Sequence, residues 1–390
     1  MSESISIRGL TIIIPTFNRS EHLKRLLNYY DKTLNVDFLI LDSSDAKVQE
    51  NNRLFTNGLK GRYQYLQFKP YIEPKQKVML GLKSVRTKYC AFCADDDLVI
   101  PTVLNDAIDF LRKNSDFICV DGGYLSIHRQ KNFLKVDIEY SKRGNDLDNS
   151  CARVFRLLNN YESLFYGVFR ADELKRIISS FGEIKELHYL ELFQSVATVL
   201  LGKTHRLADF YAMRQVGPAA EPDRKNWQTY YWFAENPGEF LDHYLVYREE
   251  LWRFYSKNTK DDSVLERSEF LRAMDLSHAT FLSKNYPYEY ICTEVATLIG
   301  ENNPSGMQLS ETIFNGIDSS KNLDSSCYRN SSVIVRVFRK IWRAINLVFN
   351  TTNYHGSGKF IYVFSEKAGW LKNNNKFRNI TFELEKYFNS

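Results

Sequence analysis

Nowhere in these 390 residues does an uninterrupted apolar run reach the ~18 residues that a membrane-spanning helix requires. The N-terminus, "MSESISIRGLTIIIP", offers no long apolar run behind a basic start, so no secretory leader is expected and the chain reads as cytoplasmic. Cysteine is scarce. Six are scattered at 90, 93, 119, 151, 292 and 327, too sparse for a disulfide framework and in keeping with a reducing compartment. Cys90 and Cys93 form a lone C-x-x-C; a zinc site would want a second pair or histidines at ligand spacing, so both read as buried strand thiols. The sequons at Asn330, Asn350 and Asn379 are then chance matches.

Net charge is only +5, which excludes a nucleic-acid-binding core, but it is unevenly spread. From Arg329 onward there are 11 Lys/Arg against 3 Glu, so the preceding 328 residues sum to −3. A mildly acidic body with a basic tail points the tail at an anionic surface.

What is present is a series of buried-strand signals, each closed by polar residues. "LTIIIP" (10–15) is continuously apolar, like a parallel strand covered on both faces. "TFNRS" follows, then a helix in which Leu23, Leu26, Leu27 and Tyr30 share a face, with Ser20 as its N-cap. "VDFLILD" (36–42) is a second strand running into a loop of Asp42, Ser43, Ser44 and Asp45. "RYQYLQF" (62–68) alternates like a third. Pro74 opens a helix with Val78, Leu82 and Val85 on one face, and "YCAFCA" is the fourth strand. The order strand, helix, strand, strand, helix, strand argues an open, mostly parallel α/β sheet, in which ligands sit at the carboxyl ends of strands. Three polar loops then share one rim: Thr16–Arg19, Asp42–Asp45 and Asp95–Asp97.

Further along, a helix at about 102–113 precedes two antiparallel strands, "DFICVDGGYLSI" and "NFLKVDIEY". A short helix (150–159), a strand "ESLFYGVFR", a helix capped by Asp172, a helix "YLELFQSVATVLLG" and a strand "HRLADFYAMR" follow. "QVGPAAEPDR" is a Gly/Pro loop. The aromatics from Trp227 to Trp252 read as helix-packing residues, and the Asn/Ser/Gly-rich stretch 301–330 as a linker. In 332–349, Arg336, Arg339, Lys340 and Arg343 gather opposite Phe338, Ile341, Trp342, Ile345, Val348 and Phe349, as in an interfacial anchor. The expected domains are 1–225, a helical extension 226–300, the linker 301–330 and a basic amphipathic region 331–390.

Three consecutive carboxylates at the end of a buried strand repel and raise one another's pKa unless a positive charge sits among them. The combination "TIIIPTFNR", "FLILDSSD" and "EPKQKVMLGLKSVRTKYCAFCADDD", with Tyr166-Gly167 and "YLELFQS" later, resembles the GT-A-fold glycosyltransferases of family 2 over about residues 8–215. The best match is a bacterial subset with an Ala-Asp-Asp-Asp signature, associated with capsule or lipopolysaccharide synthesis. The resemblance implies a Rossmann-like mixed sheet flanked by helices, with a helical C-terminal extension. It also implies inverting transfer from a nucleotide-diphosphate sugar, a UDP-sugar first, to a hydroxyl of a glycan or lipid-linked acceptor.

Residue by residue, Asp95 and Asp97 match the outer aspartates of the D-x-D motif and would hold Mn²⁺ or Mg²⁺, which offsets charge on the departing diphosphate. Pro15, Thr16, Asn18, Arg19, Asp42, Lys77, Asp96 and Arg214 map to donor binding, Asp42 at the base. The usual Asp-Asp-Gly-Ser is Asp-Ser-Ser-Asp here. Lys75 is a further candidate for the base or phosphates. Glu191 is the expected general base, with Glu186, Glu183 and Asp172 as rivals. Tyr166 and Gly167 would line the acceptor pocket, Gly167 by permitting close approach. His188 and His205 read as structural. Two other classes stand beside this one. A sugar nucleotidyltransferase would want a Gly-rich phosphate loop after the first strand, and "PTFNRS" has no glycine. A peripheral-membrane scaffold would have kept the fold and lost the chemistry.

Overall fold

The computed structural model describes residues 4–129, 133–138, 144–216, 236–259, 265–285, 351–355, 361–365 and 382–388. The chain divides into two compact units, Met1–Phe281 with Thr352–Ser390, and Leu282–Thr351. Nearly all described residues belong to the first.

Its sheet is built on β1 (Ile5–Thr16), β2 (Leu34–Asp42), β3 (Arg62–Gln67) and β4 (Tyr89–Phe92). These run parallel, with β1 between β2 and β4 and β3 outside β2. Ile12, Ile13 and Ile14 of β1 are inaccessible to solvent, so both faces of this strand are covered, which explains the unbroken apolar run. Helix α1 (Ser20–Thr33) buries Leu23, Leu26, Leu27, Tyr29 and Tyr30. Each such side chain contributes about 1.5–3 kcal/mol of hydrophobic stabilisation. The expected Ser20 cap is absent. Arg19 is the cap residue and makes no side-chain cap bond, and the Ser20 hydroxyl donates to Asn52 Oδ1 at 2.7 Å.

Between β2 and β3, after the expected Asp42–Asp45 loop, the structure adds helix α2 (Ala46–Asn57), which was not foreseen. Its buried residues are Gln49, Asn52 and Thr56, all polar, so no apolar periodicity announced it. Helix α3 (Pro74–Leu82) begins at its proline, as read.

Beyond β4 come β5 (Leu98–Val99), α4 (Leu104–Lys113), β6 (Phe117–Arg129), β7 (Phe133–Ile138), α5 (Ser150–Asn159), β8 (Val168–Arg170), α6 (Ala171–Ser179), α7 (Leu187–Leu201) and β9 (Lys203–Val216). Strands β6 and β7 are antiparallel, as expected. Strand β8 is antiparallel to β4 and β6 and far shorter than "ESLFYGVFR", because a turn closed by Gly167 N–H to Leu164 O interrupts it. Asp172 lies inside the first turn of α6 and does not cap it; Arg170 is the cap residue. Strand β9 pairs with β6 in parallel and β5 antiparallel. The full order, with β10 (Thr351–His355) and β11 (Ile361–Ser365) at one edge, is β10-β11-β7-β6-β8-β4-β1-β2-β3. This is the mixed, mostly parallel α/β architecture that the sequence implied.

Helices α8 (Pro237–Asn258) and α9 (Arg267–Asn285) extend the helical side. Phe240 and Tyr247 are buried beside Tyr189 of α7, packing residues as expected. Helix α10 (382–388) returns to the sheet, burying Leu384 and Tyr387 in its core. Trp227–Phe233, the Gly/Pro loop after Val216, the 301–330 segment and the basic stretch 332–349 lie outside the described residues.

Candidate active site

The parallel strands β1, β2 and β4 end on one edge, and the register fixes their loops side by side: Thr16 is paired with Asp42, and Ile13 with Phe92. The three polar loops therefore meet. Thr16 Oγ1 donates to Asp95 Oδ2 at 2.6 Å, joining the first loop to the third. Asn18 takes a left-handed backbone, φ 54°, which asparagine tolerates better than most residues. Its Nδ2 donates to Asp45 Oδ2 at 3.2 Å and its Oδ1 accepts from Asp45 N–H at 3.0 Å, joining the first loop to the second.

The acidic turn is pinned between β4 and β5. Cys93 N–H donates to Ile13 O at 2.9 Å on one side and Ile100 N–H to Tyr211 O at 2.8 Å on the other. Asp95 and Asp97 are 3% and 5% exposed, so both carboxylates are almost out of water. Burial pushes Asp95 up to about 6, with the Asp96 charge adding to it and the Thr16 bond opposing. Burial and Asp96 push Asp97 up to about 7. Asp97 Oδ2 accepts the Tyr166 hydroxyl and Oδ1 accepts Gln215 N–H at 2.8 Å. Arg19 is the cation at the mouth: Nη1 lies 2.7 Å from Asp96 Oδ2 and 3.5 Å from Asp95 Oδ1. Two buried carboxylates and a third beside them are opposed by the half-exposed Arg19 guanidinium and by the charges of Lys77 and Arg214.

Among the described residues no group of three His, Cys, Asp or Glu side chains could hold an ion unaided. The donors still suit a hard divalent cation, because Mg²⁺-type sites use one or two carboxylates with substrate phosphates and water completing the shell. Asp95 and Asp97 each retain acceptor capacity beyond the bonds named above.

Asp42 differs from expectation. It is fully buried. Its Oδ1 accepts Ser44 N–H at 2.7 Å, and Oδ2 accepts Asn52 Nδ2 at 2.8 Å together with the Tyr65 hydroxyl. Its carboxylate organises the second loop and presents no free face to a base. Lys77 is also buried. Its ammonium donates to Thr16 O at 3.0 Å and Ser43 Oγ at 2.9 Å, and burial lowers its pKa against the pull of Asp42 and Asp95.

A cavity of ≈ 480 Å³ opens beside these loops. Pro15, Lys75, Lys77, Tyr166, Glu191 and Arg214 are among its lining residues, and most of its wall is apolar. Lys75 spends its ammonium on Gly182 O and Ile184 O. Glu191 is the only charged residue of α7, a helix buried nearly all round. It is the one partly exposed position between Tyr189 and Leu200, and its side chain opens onto the cavity. Its rivals do not line the cavity: Glu186 faces His243 at 3.8 Å, Glu183 is exposed, and the Asp172 side chain is 93% exposed. Gly167 does not line it either. A Cβ there would collide with Cys119 Sγ, so its missing side chain serves packing of β8 on β6. Tyr166 both lines the cavity and holds Asp97.

His188 and His205 stand away from the lining. Burial lowers both, His188 to about 4, and His205 stacks on Phe110 at 3.7 Å. Cys90 and Cys93 are buried, and burial pushes both thiols up to about 12, so both are protonated at neutral pH. Sequence reasoning missed Gln215, Asn52, Tyr65 and Tyr387, each bonded to the acidic or Asp42 loops. Gln215, Tyr65 and Tyr387 carry no local signal because their partners are 23 to 291 residues away, and Asn52 carries none because its own helix was not foreseen.

No protein-family model matches the sequence, and no curated protein does. Solved structures do. The crystal structure of S. aureus TarS 1–349 is 15% identical, with a TM-score of 0.44 and 72% of each chain covered. Mannosyltransferase PcManGT from Pyrobaculum calidifontis, in complex with GDP-Man and Mn²⁺, is 11% identical with a TM-score of 0.46, over 79% of this chain and 80% of that one. TarS 1–349 in complex with UDP-GlcNAc is 16% identical with a TM-score of 0.40, over 75% of this chain and 92% of that one.

Proposed function

We propose that the chain is a metal-dependent, inverting glycosyltransferase. It would move a sugar from a nucleotide-diphosphate sugar, a UDP-sugar first among them, to a hydroxyl of a cell-surface glycan or lipid-linked acceptor. One observation carries the reading: Tyr166 lines the cavity that Glu191 also lines and donates its hydroxyl to Asp97, so the acidic loop is joined to the wall of the chamber that holds the carboxylate base.

Asp95 and Asp97 would hold Mn²⁺ or Mg²⁺, which supplies Lewis-acid stabilisation of the diphosphate. The chain's own residues do the rest. Arg19 is positioned at the mouth to pair a phosphate oxygen. Pro15, Thr16 and Asn18 shape the donor side of the rim. Asp96 holds Arg19 there, and Arg214 faces the same chamber from β9. Lys77, held in place by carbonyl and hydroxyl acceptors, braces the first loop against the second. Glu191 accepts the proton of the acceptor hydroxyl as that oxygen bonds the anomeric carbon. The bond from that carbon to the diphosphate breaks, and its electron pair leaves on the diphosphate oxygen. The apolar wall excludes water, which would otherwise compete as acceptor.

The test is turnover. Glu191→Gln should lower kcat by about 10²–10⁴-fold with donor affinity retained, the range for loss of a general base. Asp97→Asn should lose metal-stimulated transfer while circular dichroism stays native. Transfer by Glu191→Gln at the wild-type rate would place the base elsewhere. The basic stretch 332–349 is read as an anchor to an anionic membrane at the inner face of the cytoplasmic membrane. Co-sedimentation with anionic but not zwitterionic vesicles supports this, and sedimentation unchanged after Arg339→Glu and Lys340→Glu would overturn it. Among the described residues no helix is long and apolar enough to cross a membrane.

A further inference from the structure

Helix α10 reaches the acidic loop from the far end of the sequence. Its seat is built, not incidental. Leu384 is 0% exposed and Tyr387 2% exposed, both within the main core. Tyr29 of α1 donates its hydroxyl to Glu383. The Tyr387 ring meets Tyr29 edge-on at 5.8 Å, and the Arg25 guanidinium lies over the Tyr387 ring at 4.7 Å and the Phe388 ring at 5.4 Å.

From that seat the Tyr387 hydroxyl donates to Asp96 O at 3.1 Å, with Asp97 O at 3.4 Å sharing the proton. It also accepts from Arg25 Nη2 at 3.2 Å. The same Arg25 nitrogen donates to Gln215 Oε1 at 2.8 Å, and Gln215 N–H donates to Asp97 Oδ1 at 2.8 Å. The contacts close a ring: α10 to the acidic loop, the loop to β9, β9 to α1, and α1 back to α10. Within it the peptide of Asp97 is held by its carbonyl and by the carbonyl before it, while the Asp97 carboxylate is held by Gln215 and Tyr166. Holding both fixes the direction in which Asp97 presents its remaining lone pairs.

We infer that Tyr387 is a positioning residue of the active site, which aims the acidic loop so that Asp95 and Asp97 bind a divalent cation together with a nucleoside diphosphate. The inference rests on the function proposed above. It makes α10 a part of the catalytic machinery, through Asp97, and not only of the core.

Tyr387→Phe keeps the ring beneath Arg25 and against Tyr29 and removes only the hydroxyl. Calorimetric titration of the full-length chain with MnCl₂ in the presence of UDP should show binding weakened about two- to tenfold, the worth of one hydrogen bond. The melting temperature of the metal-free protein should fall by no more than about 2 °C. Glu383→Gln loosens the seat but leaves the hydroxyl bond, so it should lower the melting temperature while Mn²⁺ affinity stays within about twofold. A merely structural role predicts the reverse for Tyr387→Phe: lower stability, unchanged affinity. Coupling is reciprocal, so Mn²⁺ with UDP should slow amide exchange in 384–388 of the wild type, and this measurement decides should Tyr387→Phe fail to fold. Wild-type affinity in Tyr387→Phe, or no slowing of exchange, overturns the inference and leaves the proposed function standing. Failure of the wild type to bind Mn²⁺ and UDP removes both.

Discussion

Asp97 is the residue on which the proposed chemistry leans most. Its carboxylate is nearly sealed from water, is pushed up to about 7, and has donors on both oxygens. A carboxyl whose folded pKa lies above its unfolded value of 3.8 favours the fold when protonated. Its contribution is fully present below pH 3.8 and is lost as pH rises through about 7. Metal-free Asp97→Asn removes that loss, so thermal melts from pH 5 to 8 should show the variant gaining several degrees on the wild type as pH rises. A constant gap across that range would show that Asp97 is ionised throughout, and that its charge is already compensated within the protein. The acidic triplet was legible in the sequence because like charges after an apolar run demand an explanation. The burial of Asp42 was not legible because its hydrogen-bond partners, Asn52 and Tyr65, are set by folding and not by spacing. Gly167 was assigned to the acceptor for its smallness, which the structure uses against Cys119.

Among elements, the parallel strands and α1 were readable because they are buried on an apolar face or on two. Helix α2 was not, because it buries amides and a hydroxyl. Gln49 donates to Asp42 O at 3.1 Å and to Phe68 O at 2.7 Å, and Asn52 donates to the Asp42 carboxylate while accepting from Ser20. The helix exists to satisfy the second loop. Asn52→Ala strips a buried carboxylate of one donor and a hydroxyl of its acceptor, a cost of about 1–3 kcal/mol. Urea unfolding measures it, and a loss under about 0.5 kcal/mol would mean that water replaces the amide and that α2 is not the keystone of this loop. Strand β8 shows the complementary error. "ESLFYGVFR" has strand composition, yet the turn at Gly167 frees Phe165 and Tyr166 to face the cavity, and Phe165 stacks on Phe92 of β4 at 4.8 Å.

At the scale of the whole molecule, loops from β1, β2 and β4, one carboxylate from α7, one arginine from β9 and a tyrosine from α10 meet at one rim and its chamber. The early strands and their parallel sheet could be read from the sequence, since buried apolar runs with intervening helices admit few arrangements. The return of α10 could not, because 382–388 has no motif that names its partner. The central claim is that this rim binds a nucleoside diphosphate with a divalent cation. Calorimetric titration of the full chain with UDP, GDP, CDP and CMP, each with and without Mn²⁺, tests it most directly. One diphosphate should bind tightly only when Mn²⁺ is present, with the monophosphate much weaker. A folded protein that binds none of them, with or without the metal, would contradict the assignment of Asp95 and Asp97 and with it the transferase reading.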